Sequence, residues 1–126
     1  MLSAVSSESA PKALGPYSQA IRAGQFLFVS GQVPIDPATG ELVSGSIAEQ
    51  TRRAFQNVGE ILAAAGASFQ QVARTTVYLA DLSDFAAMNE VYATFFTPPH
   101  PARSTIQAAR LPRDAKIEVD VIAFLG

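Results

Sequence analysis

The chain predicts an α+β fold in which two helices pack on one face of a mixed β-sheet. Three observations predict it. Strand-like and helix-like segments follow one another in the order ββ, α, β, α, β, β, a pattern that favours a sheet with its helices on one side. Ser46 to Gly66 carries apolar residues at helical spacing along a single stripe. The last strand-like stretch, ending in "KIEVDVIAF", is apolar on both of its faces. Two helices cannot cover both, so the second face calls for a partner surface, and a closed homo-oligomer supplies one most simply. The 126 residues suffice for one domain with a modest core, expected to span 1–126, and are too few for two.

Each element has its own justification. "YSQAIRAGQFLFVSGQ" reads as two strands joined at Ala23-Gly24, with Gly24 supplying the turn. "VPIDPATGELV" reads as a loop, because its prolines and Gly40 interrupt regular structure. In the first helix Ser46 and Glu49 form a capping-box pattern and Gly66 stands at the stop. Ile47, Thr51, Ala54, Phe55, Val58, Ile61, Leu62 and Ala65 fall on its inner face. Val72 to about Ala80 is rich in β-branched residues and reads as a strand. Ser83 or Asp84 is expected to cap a second helix with Phe85, Met88, Tyr92 and Phe95 buried. "FTPPHPA" breaks the chain before the two final strands.

Composition excludes several function classes. Hydrophobic residues make up 48% of the chain, which should therefore fold. With 9 basic and 11 acidic residues the net charge is -2, which gives no basic stripe and argues against nucleic-acid binding by phosphate neutralisation. No cysteine is present, so disulfides, thiolate metal sites and cysteine nucleophiles are out. The single histidine, His100, lies in a proline-rich loop and offers neither a metal cluster nor a comfortable serine triad. "MLSAVSSESAPKALG" lacks the pattern of a signal peptide, and no apolar run approaches a membrane span. The expectation is a soluble, cytoplasmic protein without membrane or nucleic-acid partners.

Two charged residues ask for explanation. Arg103 opens one of the last two strands and Glu118 lies inside the other. A solvated strand end and a polar-face residue would account for them blandly. Against that, Glu118 is central in a strand, where acids are disfavoured, and "SGQ" is a small stretch ending another strand. Together they suggest a carboxylate-binding site. Arginine grips a carboxylate with a planar fork, and a glutamate beside it could accept a proton from water and orient it. Thr105 shares the strand face of Arg103 and could present its hydroxyl and amide. Lys12 and Lys116, the only lysines, lie in no recognisably apolar pocket, which disfavours a Schiff base.

"GPYSQA", "SGQVPIDPATGEL", "TTVYLADLSDFAAMNEVYATFF", "PARSTI" and "LPRDAKIEVDVIAF" resemble the reactive intermediate deaminase (Rid, YjgF-like) family, close to its deaminase A subgroup. The likeness runs from about Ala10 to the C-terminus. It implies a chorismate-mutase-like sheet and a homotrimer whose sheets face inward as a barrel, with sites between subunits. It also implies that the strand near Thr76 lies between the last two strands, which chain order alone would pair as a hairpin. The implied activity is cofactor-independent hydrolysis of 2-imino acids to 2-oxo acids and ammonia. On this resemblance Arg103 holds the substrate carboxylate, Glu118 positions the water and Tyr17 lines the site. Ser30, Gly31 and Asn89 match further pocket positions. Thr105 stands where several members carry cysteine, which removes thiol-based regulation. A non-catalytic trimer that binds small carboxylates or acts as a chaperone is the alternative, and a ribonuclease is a third reading that the charge balance disfavours.

Overall fold

The structure is a computed structural model that describes residues 1–126. In chain order its elements are β1 (Leu2–Val5), β2 (Ala20–Ala23), β3 (Phe26–Gln32), β4 (Ile35–Asp36), β5 (Glu41–Leu42), α1 (Ile47–Ala64), β6 (Val72–Leu79), α2 (Phe85–Tyr92), β7 (Ala102–Gln107) and β8 (Ile117–Phe124). Six strands form one mixed sheet in the order β1-β2-β3-β8-β6-β7. Only β6 and β7 run parallel. The strand near Thr76 does separate β7 from β8, so the final two strands are not a hairpin.

Local chemistry explains most boundaries. Ala23 faces Phe26 across the β2–β3 turn, and Gly24 takes the positive φ of 59° that the turn requires. Ser46 Oγ accepts the Glu49 amide at 3.2 Å, which caps α1. No return bond from the Glu49 side chain to the Ser46 amide completes the box; that carboxylate lies against Gly45 instead. The far end of α1 closes through Gly66 at φ 77°, and Arg22 Nη2 donates to the Ala65 carbonyl at 2.8 Å.

Several local features depart from the pattern of the sequence. β1 pairs with β2, but only four mostly exposed residues form it, so no alternation announced it. The region read as loop holds the short hairpin β4–β5. Asp84 stands at the N-cap position of α2 but its side chain makes no capping bond; Asp81 accepts the Ser83 amide at 2.9 Å and starts a single 3-10 turn, Leu82–Asp84, that runs into the helix. Of the expected stripe Met88 and Tyr92 are buried, whereas Phe85 is 39% exposed and Phe95 is half-buried beyond the end of α2.

Both helices cover one sheet face. There Leu27, Val29, Val77, Leu79, Ile117, Val119 and Val121 meet Phe55, Val58, Ile61, Leu62 and Met88 in the core. Two buried amides on α1 secure what surrounds it. Asn57 Nδ2 donates to the carbonyls of Val33 (3.3 Å) and Ile35 (2.9 Å), and Gln50 bridges the Val43 carbonyl to the Lys116 amide. The opposite face carries Phe26, Phe28, Ile106 and Phe124, all exposed, with half-buried Ile122 among them. No helix is long and apolar enough to cross a membrane.

Asn57→Leu should cost about 1–3 kcal/mol, because it removes both bonds that the fully buried Asn57 amide makes to the segment Val33–Ile35. Urea unfolding checks this, and a loss below about 1 kcal/mol would show the carbonyls to be solvated.

Candidate active site

Arg103 and Glu118 have separate surroundings. Arg103 lies opposite Thr75 in the parallel β6–β7 pair, and Thr75 is buried under the helices, so Arg103 occupies the helix-covered face. Glu118 lies opposite Tyr78 on the open face, between the buried Ile117 and Val119. Within one chain the sheet stands between them. The two side chains cannot share a ligand within one chain.

Around Arg103 the contacts are specific. Its Nη1 donates to Asn89 Oδ1 at 2.7 Å, and its guanidinium carbon lies 4.6 Å from the Tyr92 ring centre and 5.5 Å from that of Phe85. A cavity of about 520 Å³ opens here, lined also by Ala93, His100 and Pro101. Thr105, two residues along the same face, has a buried hydroxyl with no hydrogen-bond partner. Thr105 does not line that cavity, and shares only the strand face of Arg103. The sequence-predicted residues Arg103 and Asn89 therefore form this half, with Thr105 on the same face.

Glu118 belongs to the other half, with Tyr17, Ser30 and Gly31, around a cavity of about 500 Å³. The carboxylate lies directly over Gly31, where any Cβ would overlap its Oε2. Gly31 sits where β3 carries one extra residue against β8, a bulge between Val29 and Gln32. A glycine there lets the acid approach the backbone. Ser30 donates its hydroxyl to the Ser18 carbonyl at 2.6 Å, which fastens the exposed Tyr17 loop. Buried Gln19 ties the same loop to Ser7 and Pro11 through three hydrogen bonds. Lys12 and Arg113 also line this cavity; sequence reading set the first aside and missed the second.

Burial pushes the Glu118 carboxyl above the usual carboxylate range, and the charge of Asp120 adds to the shift. Asp120 is its neighbour on the open face and accepts a hydrogen bond from Tyr78 Oη at 3.0 Å. Tyr78 did not stand out in the sequence, because only the β6–β8 register brings it to Glu118; Asp120 shares the face of Glu118 by alternation along β8.

The fold and this pair of half-sites define a class: small mixed-sheet proteins that offer an arginine on one sheet face and a glutamate on the other. The chain belongs to the family described as Endoribonuclease L-PSP, which matches residues 7–125 and includes the Rid and YjgF-like proteins. It is 53% identical to a RutC family protein of Pyrococcus horikoshii over 98% of each chain. It is 47% identical to the 2-iminobutanoate/2-iminopropanoate deaminase of mouse, over 97% of this chain and 90% of that one. The crystal structure of Escherichia coli TdcF with bound serine matches with a TM-score of 0.91 and 42% identity, covering 97% of this chain and 98% of that one.

The raised proton affinity of Glu118 has a sign in stability. The folded state holds that proton more tightly than the unfolded state, so its contribution is present at low pH. It is lost as pH rises from the ordinary carboxylate value through the raised one. Relative to Glu118→Gln, the parent should lose stability as pH rises above the ordinary carboxylate range, and Asp120→Asn should reduce that loss. Urea unfolding across this range measures it, and parallel pH curves for parent and Glu118→Gln would contradict it.

Proposed function

We propose that this chain is a cofactor-independent deaminase that hydrolyses 2-iminobutanoate and 2-iminopropanoate to 2-oxo acids and ammonia, as a homotrimer in the cytoplasm. The observation that carries the reading is the state of Arg103. One nitrogen is bonded to Asn89 and one face is against an aromatic ring, while the remaining in-plane donors make no hydrogen bond within the chain. Such a group suits a flat carboxylate. The relation to the mouse deaminase and to a TdcF that holds serine, itself a small amino acid, supports the same substrate class.

In this reading Arg103 fixes the carboxylate and so places the electrophilic C2, chiefly by orientation. Glu118 accepts a proton from water as its oxygen bonds to C2 of the iminium. The proton passes to nitrogen, the C–N bond breaks as the oxygen lone pair forms the carbonyl, and the hydroxyl proton passes by way of Glu118 to the departing ammonia, which restores the carboxylate. Ammonium and a 2-oxo acid leave. A raised proton affinity suits a carboxylate that takes a proton from water and returns it. Thr105 and Tyr17 would contact the substrate, with Gly31 keeping the acid in place. Imine hydrolysis in water is already easy, so this modest equipment is enough. A purely binding protein would need the arginine but not the glutamate, which disfavours the non-catalytic alternative.

The trimer enters because the two half-sites lie on opposite faces. An edge strand of one subunit, set against the open face of the next, would bring Arg103 to the Glu118 of its neighbour. The exposed Phe26, Phe28, Ile106 and Phe124 support burial of that open face against another copy. Ile122→Lys should therefore impair assembly and turnover together, since it would bury an unpaired ammonium.

Arg103→Ala should abolish hydrolysis with the protein still folded, and Arg103→Lys should recover little, because a lysine offers no two-pronged grip. A threonine dehydratase coupled to the protein, with semicarbazide competing for the imine, reads both variants. Near-parental activity of Arg103→Lys would sink the carboxylate-clamp role.

A further inference from the structure

One helical stripe of α2 is shaped around Arg103. Phe85, Asn89 and Tyr92 stand at positions i, i+4 and i+7, so all three face β7 from the same side of the helix. Asn89 takes the Nη1 edge, while Tyr92 and Phe85 offer ring faces at 4.6 Å and 5.5 Å. Tyr92 is itself held on every side. It is only 6% exposed, and its hydroxyl lies 2.9 Å from the hydroxyl of fully buried Thr75. The ring of Phe55 meets it edge to face at 5.4 Å. Thr75 is also the register partner of Arg103 across β6 and β7. Thus one strand pair fixes both the root of the arginine and the anchor of the ring beneath it.

We propose that Tyr92, assisted by Phe85, is a positioning residue that sets the plane of the Arg103 guanidinium. The inference rests on the carboxylate-clamp reading of Arg103 and goes beyond it. A ring face attracts the flat cation and leaves the in-plane N–H donors aimed along the sheet edge, where a carboxylate can meet two of them. The rotational freedom of a long side chain is then lost before the ligand arrives, so capture does not have to overcome it. Burial under the helices strengthens the attraction, because water cannot solvate that side of the cation. Core packing alone explains why an aromatic residue stands at 92. It does not explain a polar ring edge locked to Thr75 with the face turned to a cation.

Substitution with phenylalanine, 4-fluorophenylalanine and 3,4,5-trifluorophenylalanine at position 92 tests this, since fluorine drains the ring face with little change of shape. The readout is the dissociation constant of 2-oxobutanoate, with thermal melting to confirm that each variant folds. The constant should rise stepwise along the series, by about three- to thirtyfold in all. Phe85→Leu, a change on a partly exposed ring, should weaken binding by a smaller factor without loss of fold. A flat series, with Arg103→Ala unable to bind 2-oxobutanoate, would overturn the platform and leave the clamp standing. Parental binding by Arg103→Ala would overturn the clamp, and the platform with it.

Discussion

The alternation of side chains across a β-strand governs everything else in this molecule. Arg103 shares its face with Thr75 and Thr105, under the helices; Glu118 shares its face with Asp120 and Tyr78, on the open side. No rotamer carries either side chain through the sheet. A reaction that needs both must therefore draw them from different copies of the chain. The open face, with its exposed Phe26, Phe28 and Phe124, gives a second copy something to bury.

The two halves are built differently, and the difference matches the tasks proposed for them. The arginine is gripped by aromatic rings and an amide, which fixes direction. The glutamate is set over a glycine in a bulge and beside another acid, which favours its protonated form. Direction is what carboxylate capture needs, and easy protonation is what a water-activating base needs. The buried amides Asn57 and Gln50 serve both halves indirectly. Gln50 bonds the Lys116 amide, two residues before Glu118, and Asn57 holds the chain segment that lines the cavity over it.

The sequence made α1 legible because a serine cap, an apolar stripe and a glycine stop all agreed. It made β8 legible because Ile117, Val119 and Val121 alternate with Glu118 and Asp120. β1 was not legible: four exposed residues carry no alternation, and only pairing with β2 makes them a strand. Phe85 misled, because its helical spacing fits a buried stripe while its neighbour across space is a cation. Among the candidate site residues, Arg103 and Glu118 were conspicuous as charges in strands. Their placement on opposite faces was not, since it depends on the central position of β6, which chain order conceals. The contacts of Tyr92 with Arg103 and of Tyr78 with Asp120 stayed hidden for a related reason: each joins residues of two different elements.

The central claim is that each site takes its arginine from one copy and its glutamate from another. Mixing Arg103→Ala and Glu118→Gln subunits, each inactive alone, and unfolding and refolding them together tests it most directly. The account predicts that activity returns, to about a quarter of the parental level for random closed trimers, because some interfaces then unite an intact Arg103 with an intact Glu118. Mixed assemblies that form and stay inactive would contradict it.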